Sequence, residues 1–555
     1  MSDHEDLWGA EGILGFPINC NAVLAHLKQD MRDDWFFDAI QYKDLLSTKK
    51  DLKSTLSHLL LEGNGSYTGD NRIVYDIPKK GLGIRYALET DFYDRFIYQA
   101  VCSYLIPFFD PLLSHRVLGH RYNKNRLEEK YLFKNRIELW KTFEGVTYTA
   151  FRDKKALLAT DLINYFENIT TEKIKEAFES KLPNIHASGK EKLKIRNAIT
   201  TLCDLLVKWS YSEKHGLPQN RDSSSFIANM VLNDIDHEMK RRGYDYYRYV
   251  DDIKIICDSP RHARKILSEL IKELRKVGMN INSSKTKVLT AEEKPDVLAE
   301  FFPNTDDRST AIDNMWRSKS RRVITRSVPL ICEMLKECID KKESQSRQFR
   351  FAVNRLSMLV EAEIFDVKSE IAQSLVKIIT DTLEEQPAST DQYCRILSIL
   401  DLDPESLLEI EKYIANDARS IHQWQNYHLW FMLAKKKYKS DLLTMAAKDR
   451  IRNTPLSAEI PAIFIYLYCT EGSDAIKEFI PLFSNDWPYQ HKRHLLFAAK
   501  NLSKEDLRPL VDHISTKIKT TIQRASPYFL SDGTPLLSIE KVNLFELYDN
   551  VNPYD

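Results

Sequence analysis

The chain has 555 residues, 43% of them hydrophobic and 29% charged, and its 80 Lys+Arg balance 80 Asp+Glu. That length predicts two to four domains. Zero net charge argues against a general basic coat for nucleic acid, although a local basic channel stays open. The acidic start Met1-Ser2-Asp3-His4-Glu5-Asp6 has no apolar run behind it, and no apolar stretch approaches 18 residues. The eight cysteines form no CxxC pair, Cys332 and Cys338 coming closest, and no histidine pair has metal-ligand spacing. These features predict a cytoplasmic protein without membrane contact, with reduced buried thiols and no structural zinc.

In chain order, residues 1–70 read as helices: Leu24, Leu27 and Met31, then Phe36, Phe37 and Ile40, recur at helical spacing, and a Gly-rich turn follows over Gly63–Gly69. Residues 71–300 are mixed. Ile73–Ile77 reads as a strand, and Ala156–Asp161 as a buried strand ending in a carboxylate. Lys192–Trp209 and Ser225–Met239 read as helices, and Tyr246–Tyr249 and Ile253–Cys257 as two strands around a tight turn. From about 301 to 525 strand signals nearly vanish. Helical runs such as Val328–Ile339, Ile371–Leu383, Ile421–Ala434 and Asp506–Ile522 suggest stacked helical pairs. Residues 526–555, with Pro527, Gly533, Pro535 and Pro553, read as an irregular tail.

The chemistry concentrates at Tyr249-Val250-Asp251-Asp252, two adjacent acids at the tip of the predicted hairpin. Two unit charges ~4 Å apart repel by about 4 kcal/mol at an effective dielectric near 20. A divalent cation removes that cost. Asp161, brought beside Asp251, would complete a carboxylate cluster for two hard cations, an arrangement that stabilises both the attacking and the leaving oxygen in phosphoryl transfer.

Arg248-Tyr249-Val250-Asp251-Asp252 resembles the palm hairpin of reverse transcriptases, and Ala159–Ile169, with Asp161 inside it, resembles their first catalytic motif. Gly216-Leu217-Pro218-Gln219 with Phe226–Leu232 resembles the motif between them, and Gly278–Lys287 the one after. Ile77-Pro78-Lys79-Lys80 with Gly83 and Arg85, then Asp94-Arg95 and Gln99, resembles the fingers. The matches keep the family's order over roughly residues 72–290. A palm joined to a long helical region further resembles the bacterial abortive-infection and defence-associated reverse transcriptases.

The resemblance implies an α+β fold. Residues 1–70 would be the helical start of the fingers and 71–300 the reverse-transcriptase fingers and palm. Residues 301–525 would be an all-α, HEAT-like repeat domain in place of the thumb, followed by the tail. It implies Asp161, Asp251 and Asp252 as ligands for two Mg2+ ions, with Mn2+ as a substitute, and Lys285 as the group facing the departing pyrophosphate. Lys79, Arg85 and Gln219 would hold the nucleotide, and Phe166 would exclude a ribose 2′-hydroxyl. It implies dNTP substrates, a DNA product, a homo-oligomer and a role in antiphage defence. Protein-primed untemplated synthesis and copying of a non-coding RNA both stay open. The alternative is a silent palm whose helical region senses a phage protein or RNA.

Two features depart from the family. Asn220–Ser225 replaces the usual glycine and Ser-Pro after Gln219, and no primer grip follows Leu289. Two basic stretches, Arg317–Arg326 and His115-Arg116 with Arg121, Lys124 and Arg126, are candidate nucleic-acid contacts. Trp424, Tyr427, Trp430 and Phe431 read as core, and Tyr42 as a surface tyrosine with only a remote claim to prime synthesis.

Overall fold

The computed structural model describes residues 7–8 and 14–511, apart from 32–33, 43–44, 46–48, 63–66, 68, 71, 126–131, 153–155, 211–215, 291, 295–296, 299–300 and 303–306. The expected tail, the second half of the expected Asp506–Ile522 helix, Arg126 and much of the Gly63–Gly69 turn lie outside these residues.

The first half of the chain is built from α1 (Cys20–Asp30), a hairpin of β1 (Ile73–Pro78) and β2 (Ile84–Glu89), α2 (Phe92–Phe109), α3 (Arg136–Arg152), β3 (Ala156–Thr160), α4 (Gly189–Trp209), α5 (Asp222–Arg241), β4 (Asp245–Tyr249), β5 (Asp252–Cys257), α6 (Pro260–Lys276) and β6 (Lys287–Thr290). β3 to β6 form one antiparallel sheet in the order β4-β5-β3-β6. β3 is central, paired on both edges, and all five of its residues are buried. That explains why its sequence carries no polar alternation. The α6 helix packs on β3, β5 and β6, while α3 packs on β4 and β5. In α6, Ser259 caps the N-terminus by accepting the His262 N–H, and Ala263, Ile266, Leu270 and Leu274 form the buried stripe.

Between residues 321 and 511 the chain is helical. Arg347–Glu361, Thr390–Ile399, Gln423–Lys436, Ile460–Glu471 and Tyr489–Ala498 stack as one row. Val328–Asp340, Glu370–Thr382, Pro404–Ala415 and Asp441–Asn453 stack as a second row alongside it. Ser346, Ser369, Asp403 and Ser440 each cap a helix through a side-chain oxygen, worth about 1 kcal/mol apiece.

The expected helical repeat of Phe36, Phe37 and Ile40 is not a helix. The Asp38 carboxylate instead accepts the backbone N–H groups of Ile40 and Tyr42, and Gln41 and Tyr42 adopt positive φ. This closes residues 34–42 into a tight wedge inserted into the helical rows. Trp424 Nε1 donates to the Trp35 carbonyl at 2.9 Å, Tyr427 Oη to the Phe37 carbonyl at 2.5 Å and Gln490 Nε2 to the Phe36 carbonyl at 3.1 Å. The Gln423–Lys436 helix is consequently buried on every side from Trp424 to Ala434, a pattern proper to an internal helix. Tyr42 is no surface residue either. It packs on Phe92 and under the Arg493 guanidinium, 4.8 Å from the ring centre.

Candidate active site

The sheet register brings the acids together. The last β3–β5 pair is Thr160↔Ile253, so one residue further along each strand Asp161 faces Asp252. Asp161 is buried, and Lys285 Nζ donates to its Oδ2 at 2.5 Å. Asp161 Oδ1 is buried without a hydrogen-bond partner. Asp251 lies within hydrogen-bond reach of Asp161. Burial raises the Asp251 carboxyl well above the usual carboxylate range, and the charges of Asp252 and Asp161 push it further. Burial and Asp161 raise Asp252 to about 6, against the pull of Lys254 and Lys285.

One buried and two partly buried acids, with Lys285 bonded to Asp161 as counter-ion, form a site suited to further positive charge. The described residues do not draw the three carboxylates into a closed cage with all ligand atoms within 4.8 Å of one another. Lys285 acts as the counter-ion. Partial burial alone would lower its ammonium, but the bond to Asp161 and the charges of Asp252 and Asp251 outweigh this and raise it.

The turn that presents Asp251 is strained and braced. Val250 adopts φ +55°, an outlier for a β-branched residue. Arg248, fully buried, holds it there. Its Nη1 donates to the Val250 carbonyl and to Asn229 Oδ1, both at 2.8 Å, while Nε and Nη2 bind both oxygens of Asp236 at 2.8 and 2.6 Å. Asn229 and Asp236 stand seven residues, two turns, apart on one face of α5.

Behind the turn, Leu118 donates its N–H to the Arg248 carbonyl and Gly119 abuts Val250. A Cβ at Gly119 would lie 2.9 Å from Val250 Cγ2 and 3.0 Å from the Val250 backbone nitrogen. Gly119→Ala is therefore expected to displace the turn and cut any activity of the site at least tenfold, from overpacking of about 1–3 kcal/mol. Gly145→Ala is the control, because nothing lies within 4 Å of its Cβ position. Equal rates for the two variants would refute this bracing role.

The other expected site residues are distributed unevenly. Arg85 sits 5.3 Å over the Trp35 ring. Burial lowers its guanidinium, while Asp251 and Glu167 act on it in the opposite sense. Gln219 is buried and donates to Glu167 Oε1 at 3.3 Å, next to Phe166, whose carbonyl accepts the Leu217 N–H. Phe166 is half-buried and tilted against Tyr165, with ring centres 5.0 Å apart. Lys79 directly follows β1. It lies at the base of the β1–β2 turn, bonded through its backbone N–H to the Gly83 carbonyl, where Leu82 is fully exposed.

The altered loop after Gln219 has a structural use. Arg221 is buried and pairs with Asp34 and Glu89, and Ser223 donates to Gln99. Arg95 pairs with Asp30 and Asp34. Arg95 and Gln99 thus lock α2 to the start of α5. The basic patch around His115 is also committed internally. Arg121 binds Asp110 and the Ser114 and Val117 carbonyls, and Arg116 binds Asp245. The bracing residues Arg248, Asn229, Asp236 and Gly119 were not singled out as functional from the sequence, where only the run-in of Arg248 to the two acids hinted at them.

The described cysteines are all free, and among the described residues no helix is long and apolar enough to cross a membrane. The family described as reverse transcriptase (RNA-dependent DNA polymerase) matches residues 77–352. The Retron Ec86 reverse transcriptase of Escherichia coli is 28% identical over 134 residues, 23% of this chain and 37% of that protein. The chain thus aligns with well under half the length of that relative. Two telomerase structures from Candida tropicalis, one with a fragment of telomeric RNA and one apo, are each 13% identical. They cover 64% and 75% of this chain and 68% and 73% of their own, with TM-scores of 0.29 and 0.28; scores at that level carry no weight here.

Proposed function

Residues 77–352 being a reverse transcriptase domain, we propose that the chain is a DNA polymerase that adds dNTPs by two-metal phosphoryl transfer. The observation that carries this reading is the sheet register that sets Asp161 opposite Asp252 and beside Asp251, three acids sharing Lys285 as counter-ion. The donor set fits two Mg2+ ions, or Mn2+ in their place, because hard cations take carboxylate oxygens and the orphaned Asp161 Oδ1 offers one. Such ions lower the pKa of an attacking hydroxyl and neutralise a triphosphate.

Within this reading Arg85 clamps the triphosphate, Gln219 lies against the nucleotide, and Lys79 contributes only if the exposed β1–β2 turn folds over it. Lys285 turns from Asp161 towards the leaving pyrophosphate and stabilises its charge or protonates it. The two helical rows form a HEAT-like domain in place of the thumb. Support for this comes from Arg350, whose charge acts on Arg85, and from Arg347, which interacts with Glu144 and Tyr249 beside the hairpin. A non-coding RNA template, a homo-oligomer and an antiphage role extend the same reading, in the manner of the defence-associated group.

The test is incorporation of labelled dNTPs by the full chain, with ribonuclease added before or after the reaction and products run with and without protease. Asp252→Asn should abolish the signal. Sensitivity only to prior ribonuclease marks an RNA template; a protease-shifted product marks protein priming. Phe166→Ala should narrow the dNTP/NTP preference about tenfold or more, equivalent to ~1.4 kcal/mol. An unchanged preference would remove Phe166 from the sugar gate.

A further inference from the structure

A second cluster, away from the catalytic carboxylates, joins elements that the sequence keeps far apart. His26 and Asp30 lie one turn apart on α1. Asp222 is the first residue of α5. His120 belongs to the segment that carries Gly119 and is held at φ +50°. Ligating atoms of His26, Asp30 and Asp222 lie within 4.8 Å of one another. His26 Nε2 is 3.4 Å from Asp222 Oδ2, and His120 Nε2 is 3.0 Å from Asp222 Oδ1. We propose that His26, Asp30 and Asp222, closed by His120, bind a zinc-type transition-metal dication that fixes α1 and the His120 segment to the start of α5.

Three observations carry this. His26 is 3% exposed, yet neither ring nitrogen has a hydrogen-bond partner, a costly state for a buried polar group. Its 3.4 Å separation from Asp222 is long for a hydrogen bond. It is, however, the spacing of two ligands on one tetrahedral ion, about 3.3 Å for bonds of about 2.0–2.1 Å.

The second observation is charge. The connected network contains four acids, Asp30, Asp34, Glu89 and Asp222, and two guanidinium groups, Arg95 and Arg221. Carboxylates outnumber guanidinium groups in this network, a surplus that a divalent cation would offset. Third, the surroundings are already organised. Arg95 Nη2 and the Asp222 N–H fix the two oxygens of Asp30 at 2.8 and 3.1 Å, and Phe133 packs against both imidazoles, with ring centres 5.3 and 5.8 Å away. Supporting contacts of this kind orient metal ligands.

Imidazole with carboxylate selects zinc-like ions over magnesium. This site is therefore chemically distinct from Asp161, Asp251 and Asp252. Its role is positional: His120 adjoins Gly119, which backs the Val250 turn.

The test uses the full chain, stripped with chelator and titrated with Zn2+ or Co2+ in millimolar Mg2+. One tightly held equivalent, with the visible absorption of tetrahedral Co2+, is expected. An Asp251→Asn/Asp252→Asn variant should keep it. His26→Gln and Asp222→Asn should weaken it by about 100-fold or more, and exposed His115→Gln should not. His26→Cys, which supplies a thiolate ligand, should retain the ion even if His26→Gln folds poorly. Absence of a tight equivalent in the wild type would overturn the proposal. So would retention in His26→Gln, or loss in the Asp251→Asn/Asp252→Asn variant alone.

Discussion

Asp251→Asn is expected to abolish nucleotide incorporation while leaving the metal-free protein as stable as the wild type, or more so. The partly buried carboxyl lies beside Asp252 and Asp161, and both desolvation and those charges work against its ionised form. An amide of the same shape removes the repulsion without opening a cavity, so the midpoint of thermal unfolding in chelator should stay level or rise. Loss of a metal-holding oxygen removes transition-state charge stabilisation of about 4 kcal/mol, a rate factor of about 10³. Stability held while activity is lost identifies a group kept for chemistry at the expense of the fold. A variant both less stable and still active would mean that Asp251 is a structural residue.

The second large effect lies far from the carboxylates. Asp38→Asn should destabilise the chain by about 3–5 kcal/mol, because it takes the carboxylate out of a buried ion pair. Asp38 and Arg493 are fully buried, with Arg493 Nε 2.5 Å from Asp38 Oδ2 and His494 Nε2 3.5 Å from the same oxygen. His494 Nε2 also accepts the Ala39 N–H. Burial alone would raise the Asp38 carboxyl; the Arg493 guanidinium outweighs it and holds it well below the usual range. A depressed folded pKa contributes stability above the unfolded value near pH 4 and loses it as the pH falls further. Denaturant titration should therefore find the wild type and Asp38→Asn converging in acid and furthest apart near neutrality. Asp38→Asn/Arg493→Met should recover part of the loss. A deficit below about 1 kcal/mol at neutral pH would show that the wedge is held by its aromatic residues instead.

The sequence made the acidic hairpin legible because its signal is local. Two acids between β-prone runs can only be a turn with carboxylates at its tip, and a strand ending in Asp161 needs only the antiparallel register to meet them. Long helices such as α4 and α5 were legible through their apolar period. What stayed hidden depends on distant partners. Phe36, Phe37 and Ile40 share a helical period with α1, but Asp38 takes up the backbone donors that a helix would use. The basic residues Arg121 and Arg116 looked free because Asp110 and Asp245 are brought to them only by folding. His26, His120 and Asp222 have no ligand spacing at all along the chain. Their meeting follows from α1 packing near the start of α5. Gln219 and Phe166 meet through Glu167 and Leu217, whereas Lys79 sits at the base of the β1–β2 turn.

The most direct measurement is incorporation of labelled dNTPs in Mg2+ by the full chain, wild type beside Asp161→Asn, with co-purified nucleic acid both retained and digested. The account predicts Mg2+-dependent DNA synthesis by the wild type under at least one condition and none by the variant, with both proteins equally folded. Equal incorporation by the two proteins, or none by the wild type under either condition, would contradict it.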